Sequence, residues 1–310
     1  MNELEPRYLI TGITGTMGTC LTRLILFREP RAKIVGISRD EQKQQAFPIK
    51  HPNLRLKLGN VADRRSLYRA ATNASWGGYD AIFHLAAAKC APFLETNPDE
   101  AVSTNITGTQ NVLDLAAELN SHVCFASSDK AVKPINLYGF TKGVGERLVL
   151  AERDGPTESQ HCVFRYGNIL GSRGSFLPTL IKSLLDEQKA YVTHTEMTRF
   201  WMPVDVVANF IWTHRFNEGV NIPENMKAAS VIRLIEVVAS QLGIKQYEIE
   251  TIGLRAGEKL HEDITENSNS GQANNQLTDG ELRELVGGTM RSLGFFDLGR
   301  TAVPQSSQIH

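Results

Sequence analysis

A short apolar run, Tyr8-Leu9-Ile10, stops at Thr11-Gly12, and the segment that follows constrains the fold more than any other part of the chain. Thr11-Gly12-Ile13-Thr14-Gly15-Thr16-Met17-Gly18 places three glycines in the spacing TGxxGxxG, and behind it Leu21, Leu24, Ile25 and Leu26 recur near helical spacing. Gly12 permits a tight turn, Gly15 lets backbone N–H groups approach a pyrophosphate, and Gly18 lets helix and strand pack closely. Three glycines alone are a weak signal. Between a strand and a helix they read as the opening of a dinucleotide-binding unit.

More apolar runs follow at the pitch such a unit demands: Ile34–Ile37, Leu54–Leu58 with the alternation of a half-exposed strand, Ala81–Leu85, His122–Ala126 and Val163–Tyr166. A helical pattern covers about 99–118. Strands alternating with helices predict an α/β, Rossmann-like doubly wound parallel sheet whose ligand lies at the strands' carboxyl ends. From about residue 170 the rhythm changes, with helical segments at 177–188, 204–214 and 230–242 and an extended piece at Tyr247–Ile252. The expected division is a dinucleotide-binding domain over 1–170 with later segments interleaved, a smaller substrate-binding α/β portion over 171–290, and a tail over 291–310. The Asn/Ser-rich stretch 265–275 reads as a mobile loop. Thr278-Asp279-Gly280-Glu281 reads as the cap of a short helix through Val286.

Charge excludes whole classes of partner. Lys and Arg total 33 against 34 Asp and Glu, a net charge of −1, so no nucleic acid or anionic membrane surface is expected. No apolar run approaches the roughly 18 residues that would span a bilayer. Residues 7–12 already read as a structural strand and turn, so no signal peptide is expected. The four cysteines (Cys20, Cys90, Cys124, Cys162) are far apart without a CxxC pair, and read as incidental thiols of a reducing cytoplasm rather than a disulfide frame or metal site. His84 reads as a packed core residue, and His261 and Glu262 as pairing groups rather than metal ligands.

At the tip of the second strand stand Ser38-Arg39-Asp40-Glu41, with Lys43 a turn beyond. An NAD enzyme places an acid there for the ribose 2′-hydroxyl; a serine and an arginine suit a 2′-phosphate, so NADP is favoured over NAD. Past the fifth strand come Ser127-Ser128-Asp129-Lys130 and then Tyr138-Gly139-Phe140-Thr141-Lys142. Tyr138 and Lys142 are four apart and share a helix face, where the lysine cation favours the phenolate and makes the tyrosine a base.

With these residues the chain resembles the extended short-chain dehydrogenase/reductases that act on nucleotide sugars. Hexose 4,6-dehydratases of that superfamily carry Thr-Asp-Glu where this chain has Ser128-Asp129-Lys130; an Asp-Lys pair is typical of the inverting UDP-N-acetylglucosamine 4,6-dehydratases of bacterial glycan pathways. Asp129–Tyr138, Arg165–Ser175, Met197–Trp201 and Arg255–Glu262 are similar to the same group, so the resemblance covers about residues 7–290. Asn60, Cys90, Ala256 and Ser128 depart from it, standing where the family usually has aspartate, histidine, proline and threonine.

The resemblance implies an enzyme in which Tyr138 takes the C4 hydroxyl proton as hydride passes to the nicotinamide, Lys130 removes the C5 proton, and Asp129 protonates the departing C6 hydroxyl. Lys142 and Ser128 complete the catalytic set. Lys130 is a base only if its pKa is lowered, which Lys142, the nicotinamide charge and desolvation are expected to do. Cofactor contacts are expected from Gly12, Thr14, Gly15, Thr16, Met17, Gly18, Ser38, Arg39, Asp40, Lys43, Asn60, Val61, Leu85, Lys89, Tyr138, Lys142 and Ile169. UDP-sugar contacts are expected from Lys89, Asn168, Arg173, Thr193, Met197, Arg255 and Glu258, while Arg199 either binds phosphate or pairs with an acid. Relatives of this kind form dimers built into hexamers, so a homo-oligomer is expected. The rivals are a 4-epimerase, which needs only the tyrosine and lysine, a dehydratase that releases the 5,6-unsaturated sugar, and a non-catalytic NADP-binding protein.

Overall fold

The computed structural model describes residues 5–72, 78–153 and 161–295. Its strands are β1 (Arg7–Thr11), β2 (Lys33–Ser38), β3 (Leu54–Leu58), β4 (Ala81–His84), β5 (His122–Ala126), β6 (Cys162–Phe164), β7 (Asn168–Ile169), β8 (Lys189–Val192), β9 (Thr198–Met202), β10 (Gly219–Asn221), β11 (Ala228–Ser230), β12 (Glu248–Thr251), β13 (Asp263–Thr265) and β14 (Ser268–Asn269). The helices are α1 (Thr16–Arg28), α2 (Glu41–Gln45), α3 (Arg64–Thr72), α4 (Ala91–Thr96), α5 (Pro98–Val102), α6 (Gly108–Glu118), α7 (Leu137–Arg153), α8 (Phe176–Asp186), α9 (Val204–Thr213), α10 (Val231–Gln241) and α11 (Asp279–Ser292).

Seven strands pair in the order β10-β6-β5-β4-β1-β2-β3, all parallel. This is a Rossmann-like sheet, and its order reverses between β1 and β4, where the carboxyl ends leave a crevice. Alternation along the strands serves two cores. Leu9, Val35, Ile82, Val123 and Val163 face Leu67 of α3, Val112 of α6 and Val149 of α7. Tyr8, Ile10, Ile34, Phe83 and Phe164 face Leu21 and Ile25 of α1 and Val207 and Ile211 of α9. With both faces covered, β4 and β5 are buried at every position, which is why they read as unbroken apolar runs. A third core joins α8, α10 and α11 through Leu180, Leu234 and Val286. Strand β9 belongs to both halves, sending Phe200 into one core and Trp201 into the other.

Several expectations are corrected. The seventh strand, β10, escapes a hydrophobicity reading because Gly219-Val220-Asn221 offers one apolar residue at a sheet edge. The helix expected over 99–118 begins at Pro98 and widens into a π turn at Ser103–Thr107 between α5 and α6. The stretch 265–275 is not a structureless loop: it holds the β13–β14 hairpin and a 3-10 turn at Ala273–Asn275, tied down by Ser270, which is wholly buried. Ser270 Oγ donates to the Thr198 carbonyl at 3.1 Å and accepts from the Glu262 amide at 2.9 Å. The cap at Thr278 is a reciprocal box with Glu281, and α11 runs past Val286 to Ser292. Of the tail expected at 291–310, residues 296–310 lie outside the described residues. Among the described residues no helix is long and apolar enough to cross a membrane.

Candidate active site

The crevice is a cleft of about 690 Å³ at the strands' carboxyl ends. Every residue expected to contact the cofactor lines it: the glycine loop, Ser38 to Lys43 beyond β2, Asn60 and Val61 beyond β3, Leu85 and Lys89 beyond β4, Tyr138 and Lys142 on α7, and Ile169 on β7. The glycine loop is a cradle that side chains would fill. A Cβ on Gly12, whose φ is +71°, would sit 2.8 Å from the Ala86 amide nitrogen, and one on Gly18 would sit 2.6 Å from the Gly12 carbonyl oxygen. The residues present therefore fit a dinucleotide, whose diphosphate the amides of the glycine loop and the first turn of α1 would hold. At the rim, Arg39 Nη1 lies 2.7 Å from Glu100 Oε1. Asp40 caps α2 through the Lys43 amide at 2.9 Å and pairs with the Lys43 ammonium at 2.6 Å, so its carboxylate is already engaged.

The chemistry-bearing residues come from two adjoining pieces. Strand β5 ends at Ala126, and Ser127 and Asp129 continue along the next segment, their amides donating to the carbonyls of Phe164 (2.7 Å) and Tyr166 (3.0 Å). Ser128 then caps a 3-10 turn, Asp129–Ala131. Helix α7 starts against this turn, anchored by Asn136, which accepts from the Gly139 amide (2.7 Å) and donates to the Gly257 carbonyl (2.7 Å). Tyr138 and Lys142 follow on one face, and Ser128, Lys130, Tyr138, Lys142 and Asn168 all line the cleft. Asp129 does not; it is wholly buried beneath it.

Lys130 is the centre of a charged cluster. Its Nζ lies 3.1 Å from Asp129 Oδ1, 3.1 Å from Asn168 Oδ1 and 3.2 Å from Glu262 Oε1. Burial alone would lower its pKa, but Asp129 and Glu262 outweigh burial and hold it above the ordinary lysine value. The expected lowering is thus corrected, because two carboxylates flank the ammonium. The reading of Tyr138 is corrected too. Loss of water pushes its pKa up; Lys130 pulls it down, Asp129 raises it and Ser128 opposes the rise. Lys142 is buried, donates to the Ala126 carbonyl at 2.7 Å and lies 4.6 Å from the centre of the Phe125 ring. Burial brings its pKa down to about 8, against the opposing pull of Glu146.

Of the residues expected to hold the sugar nucleotide, Lys89, Asn168 and Arg173 line the cleft, and Thr193, Met197, Arg199, Arg255 and Glu258 do not. Thr193 and Met197 touch each other (Oγ1 to Sδ, 3.6 Å), with Met197 buried. Arg255 and Glu258 close a turn on themselves, the Glu258 amide donating to the Arg255 carbonyl at 3.1 Å. For Arg199 the structure decides between the two alternatives. Its guanidinium is buried, donates to the carbonyls of Thr198, Lys259 and Leu260, and pairs with Glu262 at 3.7 Å and Glu258 at 3.8 Å. A group so enclosed does not meet a phosphate, and the expectation of substrate contact there is corrected. Glu262, expected as a pairing group, meets Lys130 from 132 positions earlier as well as Arg199.

His84 is a core residue, bonded to Thr11 Oγ1 (2.8 Å) and Thr109 Oγ1 (3.1 Å), and burial brings its pKa down to about 3. The cysteines are less scattered than their spacing implied. Cys124 and Cys162 are register partners on β5 and β6, and with His122 their ligand atoms lie within 4.8 Å of one another. Both thiols donate to the Arg215 carbonyl, at 3.2 and 3.4 Å.

Comparison with known proteins agrees with this fold. A UDP-N-acetylglucosamine 4,6-dehydratase (inverting) of Campylobacter jejuni is 37% identical over 267 residues, covering 83% of this chain and 77% of the relative. A UDP-glucose 4-epimerase of Rickettsia massiliae is 33% identical over 279 residues, covering 87% and 80%. The crystal structure of Pen from Bacillus thuringiensis superposes with a TM-score of 0.83 at 30% identity, over 93% of this chain and 98% of that one. The family described as polysaccharide biosynthesis protein matches residues 8–279, and the chain belongs to it.

Proposed function

We propose that the protein is an NADP-dependent UDP-N-acetylglucosamine 4,6-dehydratase that inverts C5 and yields a UDP-4-keto-6-deoxyhexosamine for glycan assembly. The observation that carries this reading is the Asp129–Lys130 pair, 3.1 Å apart on the turn against the start of α7: Lys130 lines the cleft with Tyr138, and Asp129 is buried directly behind it. A 4-epimerase acts at C4 alone and gives such a pair nothing to do; removal of water from C5 and C6 needs one group to take a proton and one to give it. A nicotinamide dinucleotide bound along the glycine loop supplies a hydride acceptor for C4 and a donor for C6. Tyr138 takes the C4 hydroxyl proton. The C4 ketone then acidifies C5, whose proton passes to Lys130, while Asp129 protonates the C6 oxygen as it leaves. Lys89 and Arg173 at the mouth suit the diphosphate.

The test is incubation with UDP-N-acetylglucosamine in D2O, with products read by NMR. A 4-keto-6-deoxy product carrying deuterium at C5 in the inverted configuration is expected. Lys130→Ala should reduce its formation by about 10²–10⁴-fold. The epimerase reading, favoured by the Rickettsia relative, requires the C4 epimer with C6 oxygen intact and near-normal turnover of Lys130→Ala; that result overturns the dehydratase.

A further inference from the structure

We infer that Glu262, backed by Arg199, is a positioning residue for Lys130, holding it as an ammonium that shares one proton with Asp129. The inference rests on the reading of Lys130 as the C5 base. An ammonium has three N–H bonds and no acceptor. Around Lys130 Nζ stand three acceptors, Asp129 Oδ1, Asn168 Oδ1 and Glu262 Oε1, at 3.1 to 3.2 Å. Lys130 Nζ donates hydrogen bonds to the first two and makes an ion pair with Glu262, an arrangement that favours the cation.

Charge balance points the same way. The charged and titratable groups facing Lys130 are Asp129 from its own turn, Glu262 from the segment before β13, Arg199 from β9 and Tyr138 from α7. Asp129 and Glu262 offset Lys130 and Arg199 in a region where Asp129 is wholly buried and Glu262 and Arg199 are nearly so, and the more exposed Glu258 lies 3.8 Å from Arg199 on its other side. Arg199 Nε and Lys130 Nζ approach the same Glu262 oxygen, at 3.7 and 3.2 Å, so Glu262 keeps the two cations from meeting uncompensated. The second oxygens, Asp129 Oδ2 and Glu262 Oε2, are buried and have no hydrogen-bond partner among the described residues.

The step conserves charge. The N–H bond toward Asp129 breaks with its electron pair staying on nitrogen, and an O–H bond forms on Asp129. Neutral Nζ then takes the C5 proton. The C5–H electrons enter the C5–C6 bond, the C6–O bond breaks, and the departing oxygen takes the proton from Asp129 to leave as water. Lys130 ends as ammonium and Asp129 as carboxylate, so the cluster is restored. Throughout, Glu262 stabilises the positive charge that forms on Lys130, strengthening it as a proton acceptor.

The test uses the full-length protein with Glu262→Gln and Glu262→Asp. The first readout needs no turnover: the pH dependence of Lys130 acylation by acetic anhydride, followed by peptide mass spectrometry. Wild type should titrate above ordinary lysine, Glu262→Gln should lose proton affinity by about tenfold or more, and Glu262→Asp should stay near wild type. The second readout is dehydration. Glu262→Gln should lower kcat by about 10²-fold with KM little changed, and should move the high-pH limb of kcat downward. If Glu262→Gln fails to fold with Arg199 short of one carboxylate, the double variant E262Q/R199Q removes both charges and should still titrate below wild type. An unshifted titration, or full kcat in Glu262→Gln, overturns the inference. A shifted titration in a protein that releases no deoxy product overturns the dehydratase reading and upholds the coupling of Glu262 to Lys130.

Discussion

One acid, Glu100, holds the arginine at the cleft rim where the proposed cofactor's 2′-phosphate would compete for it. Arg39 spends its guanidinium on Glu100 at 2.7 Å, with both side chains partly in water, and such exposed pairs contribute about 0–1 kcal/mol. A 2′-phosphate carries more charge and matches the guanidinium fork, so it should displace Glu100. Arg39→Asp is therefore expected to shift preference from NADPH toward NADH, and Glu100→Gln to tighten NADPH binding by up to about fivefold, both measured by fluorescence titration. Equal affinity of the wild type for the two cofactors would contradict the assignment. A stability prediction follows from His84, whose pKa burial brings down to about 3. The folded protein keeps it neutral while the unfolded chain protonates it near pH 6.5, so stability should fall as pH drops from about 6.5 toward 3. Urea unfolding of wild type and His84→Gln between pH 7.5 and 5 checks this: the variant should show the shallower loss. Residue identity made the glycine loop and the Asp-Lys-Tyr-Lys set legible. The direction of the Lys130 shift was not legible, because Glu262, brought in from a distant segment, joins the neighbouring Asp129 in outweighing burial.

Helix α7 and the turn before it act as one unit, and Gly139 is where they touch. A Cβ there would lie 2.3 Å from the Lys130 carbonyl oxygen and 3.1 Å from Pro134 Cβ, so any side chain pushes the turn that carries Lys130. Gly139→Ala should leave the sheet folded, as judged by circular dichroism, yet reduce kcat by about 10²-fold, the cost of displacing a reacting group by roughly an ångström. Unchanged turnover would show that the turn gives way freely. Where the sequence misread elements, side-chain hydrogen bonds overrode local pattern. The π turn at Ser103–Thr107 lets Asn105 donate to the Ala88 carbonyl (2.9 Å) and accept from its amide (2.8 Å), clamping the cleft wall after β4. No periodicity encodes that exchange. Likewise the polar composition of 265–275 signals water exposure, and only the burial of Ser270 against Thr198 and Glu262 turns it into a hairpin.

Over the whole molecule, the strand–helix alternation was enough to place the cleft, since a parallel doubly wound sheet leaves its crevice where strand order reverses. The return of later segments to the first sheet was less legible: α9 packs on α1 through Val207 and Ile211, and β10 adds an edge strand from a nearly polar tripeptide. The chain after β7 also closes over the dinucleotide cleft. The Arg173 amide donates to Thr16 Oγ1 at 3.2 Å, its guanidinium donates to the Thr14 carbonyl, and Lys89 Nζ donates to the Arg173 carbonyl at 3.3 Å. These contacts fasten residues 172–174 across the glycine loop, although Arg173 itself is exposed and buries little on folding. Arg173→Ala should therefore leave the melting temperature of the protein without cofactor almost unchanged. It should speed NADPH release and raise its Kd by about tenfold, the equivalent of about 1.4 kcal/mol. At a fixed NADPH concentration well above Kd, linkage then requires the stabilisation conferred by NADPH to shrink by that same amount. Melting curves with and without NADPH, read beside stopped-flow release, measure both sides of the relation. Wild-type release rates in Arg173→Ala would mean that the 172–174 segment rests on the glycine loop without retaining what binds there.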